Sequence, residues 1–147
     1  MKRIRHRTNE RGATLVEFAI GATVFLIVMF AVIEFGRALW VHNALTDAAR
    51  RGARYAVCHS QADAPAVVNV VIYGNPAGGT NPVVNDLTTA NVQVDYSEFG
   101  LSGGTATVSI TGYQFQFVLP LVSPSIAMPN YKTTLTAESA GLTPTDL

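Results

Sequence analysis

From Ala13 to Ile33 the chain runs for 21 residues with one charged side chain, Glu17. No other feature constrains the fold as much. At the α-helical rise a segment of that length reaches about 31 Å, the thickness of a bilayer's hydrocarbon core. A helix that is apolar on every side needs cover all round. The chain beyond residue 58 offers few helices to supply it, which disfavours a buried core helix. A secretory signal peptide is also a poorer fit. The run exceeds the usual apolar region of about 7–15 residues, and no small-residue cleavage site ends it. The segment is predicted to cross a membrane.

Charge gives the direction. The 147-residue chain is neutral overall, but five of its ten basic residues (Lys2, Arg3, Arg5, Arg7 and Arg11) precede Gly12, against Glu10 alone. That end carries +4, and the rest, with five basic and nine acidic residues, carries −4. Lys and Arg beside a span are retained on the cytoplasmic side, so the N-terminus is expected in the cytoplasm and the C-terminus outside. Glu34 and Arg37 follow the run at helical i,i+3 spacing and suit an ion pair at the far interface. Trp40 suits the headgroup level.

No proline interrupts the chain between Ala13 and Cys58. Past the span, Val41, Leu45, Ala48, Gly52 and Ala56 fall at three- and four-residue spacing and form a stripe that narrows to small residues, which allows close approach by another element. Asp47 precedes Arg50 and Arg51 at ion-pair spacing. The expectation is one helix over 13–58, about 70 Å at the helical rise, whose first half spans the membrane to about 33–40. Residues 1–12 read as a basic leader and 59–147 as a β-rich extracytoplasmic domain.

In that outer domain Asp63 is a plausible N-cap with Pro65 in the first turn. The following AVVNVVIY reads equally as a short helix or a strand. Gly74 to Pro82 is a loop by composition. NVQVDY, TATVSITGYQFQF and YKTTLTAES read as strands, with a bend at Gly112 where the apolar parity flips. SEFGLSGG reads as a hairpin-like connection. PLVSPSIAMPN, with three prolines, is expected to hold no regular structure. The fold class is therefore α+β: a long N-terminal helix with a small antiparallel sheet packed on its outer half. A hairpin alone is marginal, and the helix is its natural cover. From His59 onward Lys132 faces six acidic residues, which argues against nucleic acid or anionic lipid as a partner of the outer domain.

Catalytic chemistry is not evident. His6 lies across the expected membrane from His42 and His59. Cys58 and His59 are adjacent on or just past a helix and point about 100° apart, so they read as a packed thiol and a surface imidazole. One cysteine allows no internal disulfide. No metal-ligand spacing appears, and GNPAGG lacks the Lys-Ser/Thr of a phosphate loop. No enzyme activity, cofactor or metal is expected.

Glu17 remains. An intramembrane carboxylate is expensive and marks a functional position by default. The combination of basic tail, Gly12, four residues, Glu17 and apolar run resembles the processing signature of type IV prepilins and pseudopilins. In more detail the chain resembles the TadE-like pseudopilins of tight-adherence (Tad) pilus systems. The resemblance covers Arg11 to about Ala56 and is carried by Gly12, Glu17, Phe18, Glu34-Phe35-Gly36-Arg37, Ala48, Ala49, Arg50, Gly52, Ala53, Arg54 and Tyr55.

The resemblance implies a pilin-like fold and a minor pilin or pseudopilin of a bacterial inner-membrane pilus or secretion apparatus. It implies a prepilin peptidase as partner, cutting between Gly12 and Ala13, and other pilins or pseudopilins as neighbours. Membrane lipid is the remaining expected partner. Cutting there would remove the tail cations and give Ala13 an α-amine, which Glu17 of a neighbouring subunit can pair with. The main Tad pilin is a much shorter chain, which disfavours a bulk-filament role. The competing reading is an uncleaved, membrane-tethered extracytoplasmic binding module.

Overall fold

The computed structural model describes residues 10–98, 104–118 and 125–136. The basic tail before Glu10 and most of the SEFGLSGG connection lie outside the described residues. The chain divides into two compact units, Met1–Arg37 and Ala38–Leu147. What is described of the first is helix. The backbone is helical from Glu10 to Val57 (α1), so the three residues before Ala13 are already helical and the helix passes from the first unit into the second.

The second unit is built on the part of α1 after Arg37. The expected stripe is buried: Val41 at 6% exposure, and Leu45, Ala48 and Ala56 at zero. Ala49, Ala53 and Val57 widen it. Gly52 lies where three elements meet. A Cβ placed on it would collide with Val71 and come within 3.3 Å of Val108 Cγ1. The glycine is there because the backbone of α1 must lie close to both.

The ambiguous AVVNVVIY segment is a helix, α2 (Ala64–Tyr73). Its β-branched residues disfavour helix only slightly. Burial of Val67, Val70, Val71 and Ile72 outweighs that preference. Pro65 opens the helix and Gly74 closes it at φ 71, its N–H donating to the Val70 carbonyl. Asp63 holds the expected N-cap position, but its side chain makes no capping hydrogen bond. Asp63 ends a short 3₁₀ turn, Gln61–Asp63, and the side chain that caps here is Ser60, accepting from the Ala62 N–H.

Five strands follow: β1 (Val92–Ser97), β2 (Thr105–Ile110), β3 (Gln114–Gln116), β4 (Ser125–Ala127) and β5 (Tyr131–Thr136). β1, β2 and β5 form an antiparallel sheet in the order β1-β2-β5. Its inner face carries Val94 opposite Val108 and Thr133, and Tyr96 opposite Ala106 and Leu135. Its outer face is polar, with Asp95, Thr107 and Thr134 in one row and the two threonine hydroxyls 2.8 Å apart. The expected long second strand is two strands. Gly112, at φ 68, turns the chain out of the first sheet, and β3 pairs instead with β4.

That pairing corrects the expectation that PLVSPSIAMPN holds no regular structure. The three prolines stand at 120, 124 and 129, and β4 fits between the last two. A short strand in a two-stranded ribbon needs few ladder hydrogen bonds, so flanking prolines do not prevent it. Phe115 of β3 is 1% exposed, its ring edge-on to Phe117 at 5.2 Å between centroids. Tyr113 donates its hydroxyl to the Asn85 carbonyl at 2.8 Å and tethers the ribbon to the loop before β1.

Candidate processing and assembly site

Gly12, Ala13 and Glu17 lie at the start of α1, and all three are exposed. Residues 13 and 17 are one helical turn apart and share a face. Among the described residues, and apart from its own helix backbone and chain neighbours, no atom lies within 4 Å of a Cβ built on Gly12. The apolar side chains that follow are uncovered: Leu15, Phe18, Ile20, Phe25 and Val32 are all at least 62% exposed. The helix from Gly12 is long and apolar enough to cross a membrane, and none of its most apolar window is buried. Thr23 gives its hydroxyl to the Ala19 carbonyl at 2.8 Å, so this polar group is satisfied within the helix.

At the end of the run the expected ion pair is present. The Arg37 guanidinium donates to the Glu34 carboxylate at 2.6 Å. Glu34 is 7% exposed and is the buried charged side chain among the described residues. Spacing in the sequence pointed to the pair but carried no sign of this burial. The second expected pair is looser: Asp47 and Arg50 are 3.8 Å apart and both well exposed.

The titratable groups of the second unit are dispersed. His42 Nδ1 is 3.0 Å from the Tyr131 hydroxyl. His59 stacks on Tyr55 at 3.7 Å between ring centroids, with its Nδ1 2.8 Å from the Tyr55 carbonyl oxygen. Cys58 is exposed, which corrects the expectation of a packed thiol: it follows Val57, the last helical residue. Burial, and secondarily Tyr113, pushes the Tyr131 hydroxyl above its ordinary range. Burial, and secondarily the charge of Asp63, does the same to Tyr96. Among the described residues no three His, Cys, Asp or Glu side chains gather as metal ligands.

The features on this helix are therefore a glycine at its start, a carboxylate one turn beyond Ala13, an uncovered apolar run, and at its end a buried Glu34 paired with a partly exposed Arg37. Residues 12–54 match the family of TadE-like proteins. The match begins at Gly12 and ends within the last turn of α1. It covers 43 of 147 residues, so the TadE-like segment is the helix and not the outer domain. It bears out the resemblance read from the sequence over that segment. No curated protein and no solved structure matches the chain.

Proposed function

We propose that the protein is a minor pilin or pseudopilin of a Tad-type pilus or secretion apparatus, held in a bacterial inner membrane with the outer domain extracytoplasmic. The observation that carries this reading is the TadE-like match over 12–54 on an uncovered apolar helix. A prepilin peptidase cuts between Gly12 and Ala13 and removes the basic tail. Cleavage requires local unwinding of the helix start, which is inexpensive because helix ends fray. The mature chain then begins one turn before Glu17. The protein serves assembly and has no catalytic role.

The test is N-terminal sequencing of the mature protein after expression with its peptidase. The expected start is Ala13, and replacing Gly12 should abolish the accompanying shift in gel mobility. A start at Met1 would support the tethered binding module instead.

A further inference from the structure

The second unit separates its charge by side. In its part of α1 the stripe from Val41 through Gly52 to Ala56 is buried, and Arg50, Arg51 and Arg54 are exposed. At about 100° per residue, Arg50 and Arg54 point directly away from that stripe and Arg51 flanks them. Asp47 lies beside them, but its pair with Arg50 is loose, at 3.8 Å with both side chains more than 60% exposed. Among the described residues no ion pair engages Arg51 or Arg54. A cation near the end of a helix complements the dipole, which gives Arg54 a local role. That effect fades within one turn and gives none to Arg50 and Arg51.

The rest of the unit has the opposite sign. From His59 onward the charged residues described are Asp63, Asp86, Asp95, Glu98 and Lys132, all exposed. Asp95 projects from the outer face of the sheet, whereas Val108, on the inner face, reaches Gly52 of α1. The arginines and Asp95 therefore lie on opposite sides of the unit. Glu98 follows β1, an edge strand, and Asp63 is near enough for its charge to act on Tyr96 of that strand. Asp63, Asp95 and Glu98 thus surround one end of β1.

We propose that the arginine face of α1 docks a second copy of this chain, gripping the carboxylates around the end of that copy's β1. Charge complementarity selects this occupant. From Ala38 to Leu147 the chain has four basic and seven acidic residues, net −3 with neutral histidines, so an anionic bilayer or a nucleic acid repels the unit as a whole. A second copy supplies carboxylates, which guanidinium forks bind through paired hydrogen bonds. The two surfaces differ, so the contact runs head-to-tail and leaves one of each free for a further copy. The proposal goes beyond the pilin reading and stands whether or not Gly12 is cut.

The test uses the full, uncut chain in vesicles of phosphatidylcholine, a neutral lipid. Cys58→Ser removes the native thiol, and Ala77→Cys, in the exposed loop after α2, carries a donor or an acceptor dye. Energy transfer between labelled copies should exceed that of random mixing and fall as salt rises. Arg50→Glu with Arg54→Glu should lower it several-fold, and so should Asp95→Lys with Glu98→Lys. Mixing donor-labelled copies of the first variant with acceptor-labelled copies of the second should restore it, since each then carries the charge the other lacks. Transfer indifferent to salt and to both substitutions belongs to the apolar helices and overturns the proposal. Loss in both variants without recovery on mixing also overturns it. So does wild-type transfer no higher than random mixing together with enrichment of fluorescent phosphatidylglycerol around the chain that Arg50→Glu with Arg54→Glu removes, which identifies anionic lipid as the occupant.

Discussion

Gly52 shows how much one residue can settle. Its missing side chain lets α1 meet Val71 and Val108 together, and both are branched and fully buried. Neither has room to swing aside in a close-packed interior. Gly52→Ala should therefore cost about 1–3 kcal/mol through overpacking, read as a lower unfolding midpoint of the detergent-solubilised chain. Gly36 is the control. Nothing lies within 4 Å of its Cβ position, and alanine is the better helix former by up to about 1 kcal/mol, so Gly36→Ala should leave the midpoint unchanged or raised. Tyr96 and Tyr131 supply a residue-scale pH dependence. Both hydroxyls are held above the ordinary tyrosine value of 10.0, chiefly by burial. Below pH 10 both folded and unfolded chains keep these protons, and stability is unaffected. Above it the unfolded chain releases them first, so stability falls with rising pH until the folded tyrosines ionise too. An alkaline titration of the midpoint should show this slope, and Tyr131→Phe should reduce it.

At the scale of elements, the turn at Gly112 separates the sheet from the ribbon. A left-handed backbone costs a residue with a side chain about 1–2 kcal/mol. Gly112→Ala should lower the unfolding midpoint accordingly, and should loosen β3 and β4 before β2, visible as faster amide exchange at Phe115 than at Val108. The parity flip in the sequence marked this bend, because alternation is a direct record of which face is buried. The helix was legible for the same reason: its apolar run and its stripe at residues 41–56 carry the helical period. The role of Gly52 in that stripe was legible as a small residue allowing close approach. What the sequence did not carry was determined by partners distant in the chain. α2 is helical because its valines meet α1 and the sheet, and no local signal separates that outcome from a strand. β4 exists because β3 turns back to meet it. Glu34 is buried although its spacing suggested only a surface pair. At the candidate site, Gly12, Ala13 and Glu17 were legible from motif and spacing, and the structure adds that all three are accessible.

At the scale of the whole molecule, the proposed assembly turns on the charge state of the N-terminus. In the precursor Glu17 has five cations in the preceding residues and lies at the start of the apolar run. After cleavage those cations are gone and the new charge is the Ala13 amine. Packing of many such helices would withdraw both groups from water, and a buried carboxylate without a partner costs about 3–5 kcal/mol. That corresponds to a loss of at least 100-fold in the equilibrium for incorporating a subunit. Glu17→Ala leaves the apolar run intact, so insertion into the membrane should be unchanged while the amount recovered in sheared pili or in cross-linked complexes falls sharply. Recovery equal to wild type would rule the pairing out. The double variant separates pairing from a general need for a carboxylate. If Glu17 acts on the Ala13 amine, it has no partner in a chain that is never cut. In a Gly12 variant that resists the peptidase, adding Glu17→Ala should therefore cause no further loss of cross-linking to neighbouring subunits. A further loss in that background would show that the carboxylate acts on some other group.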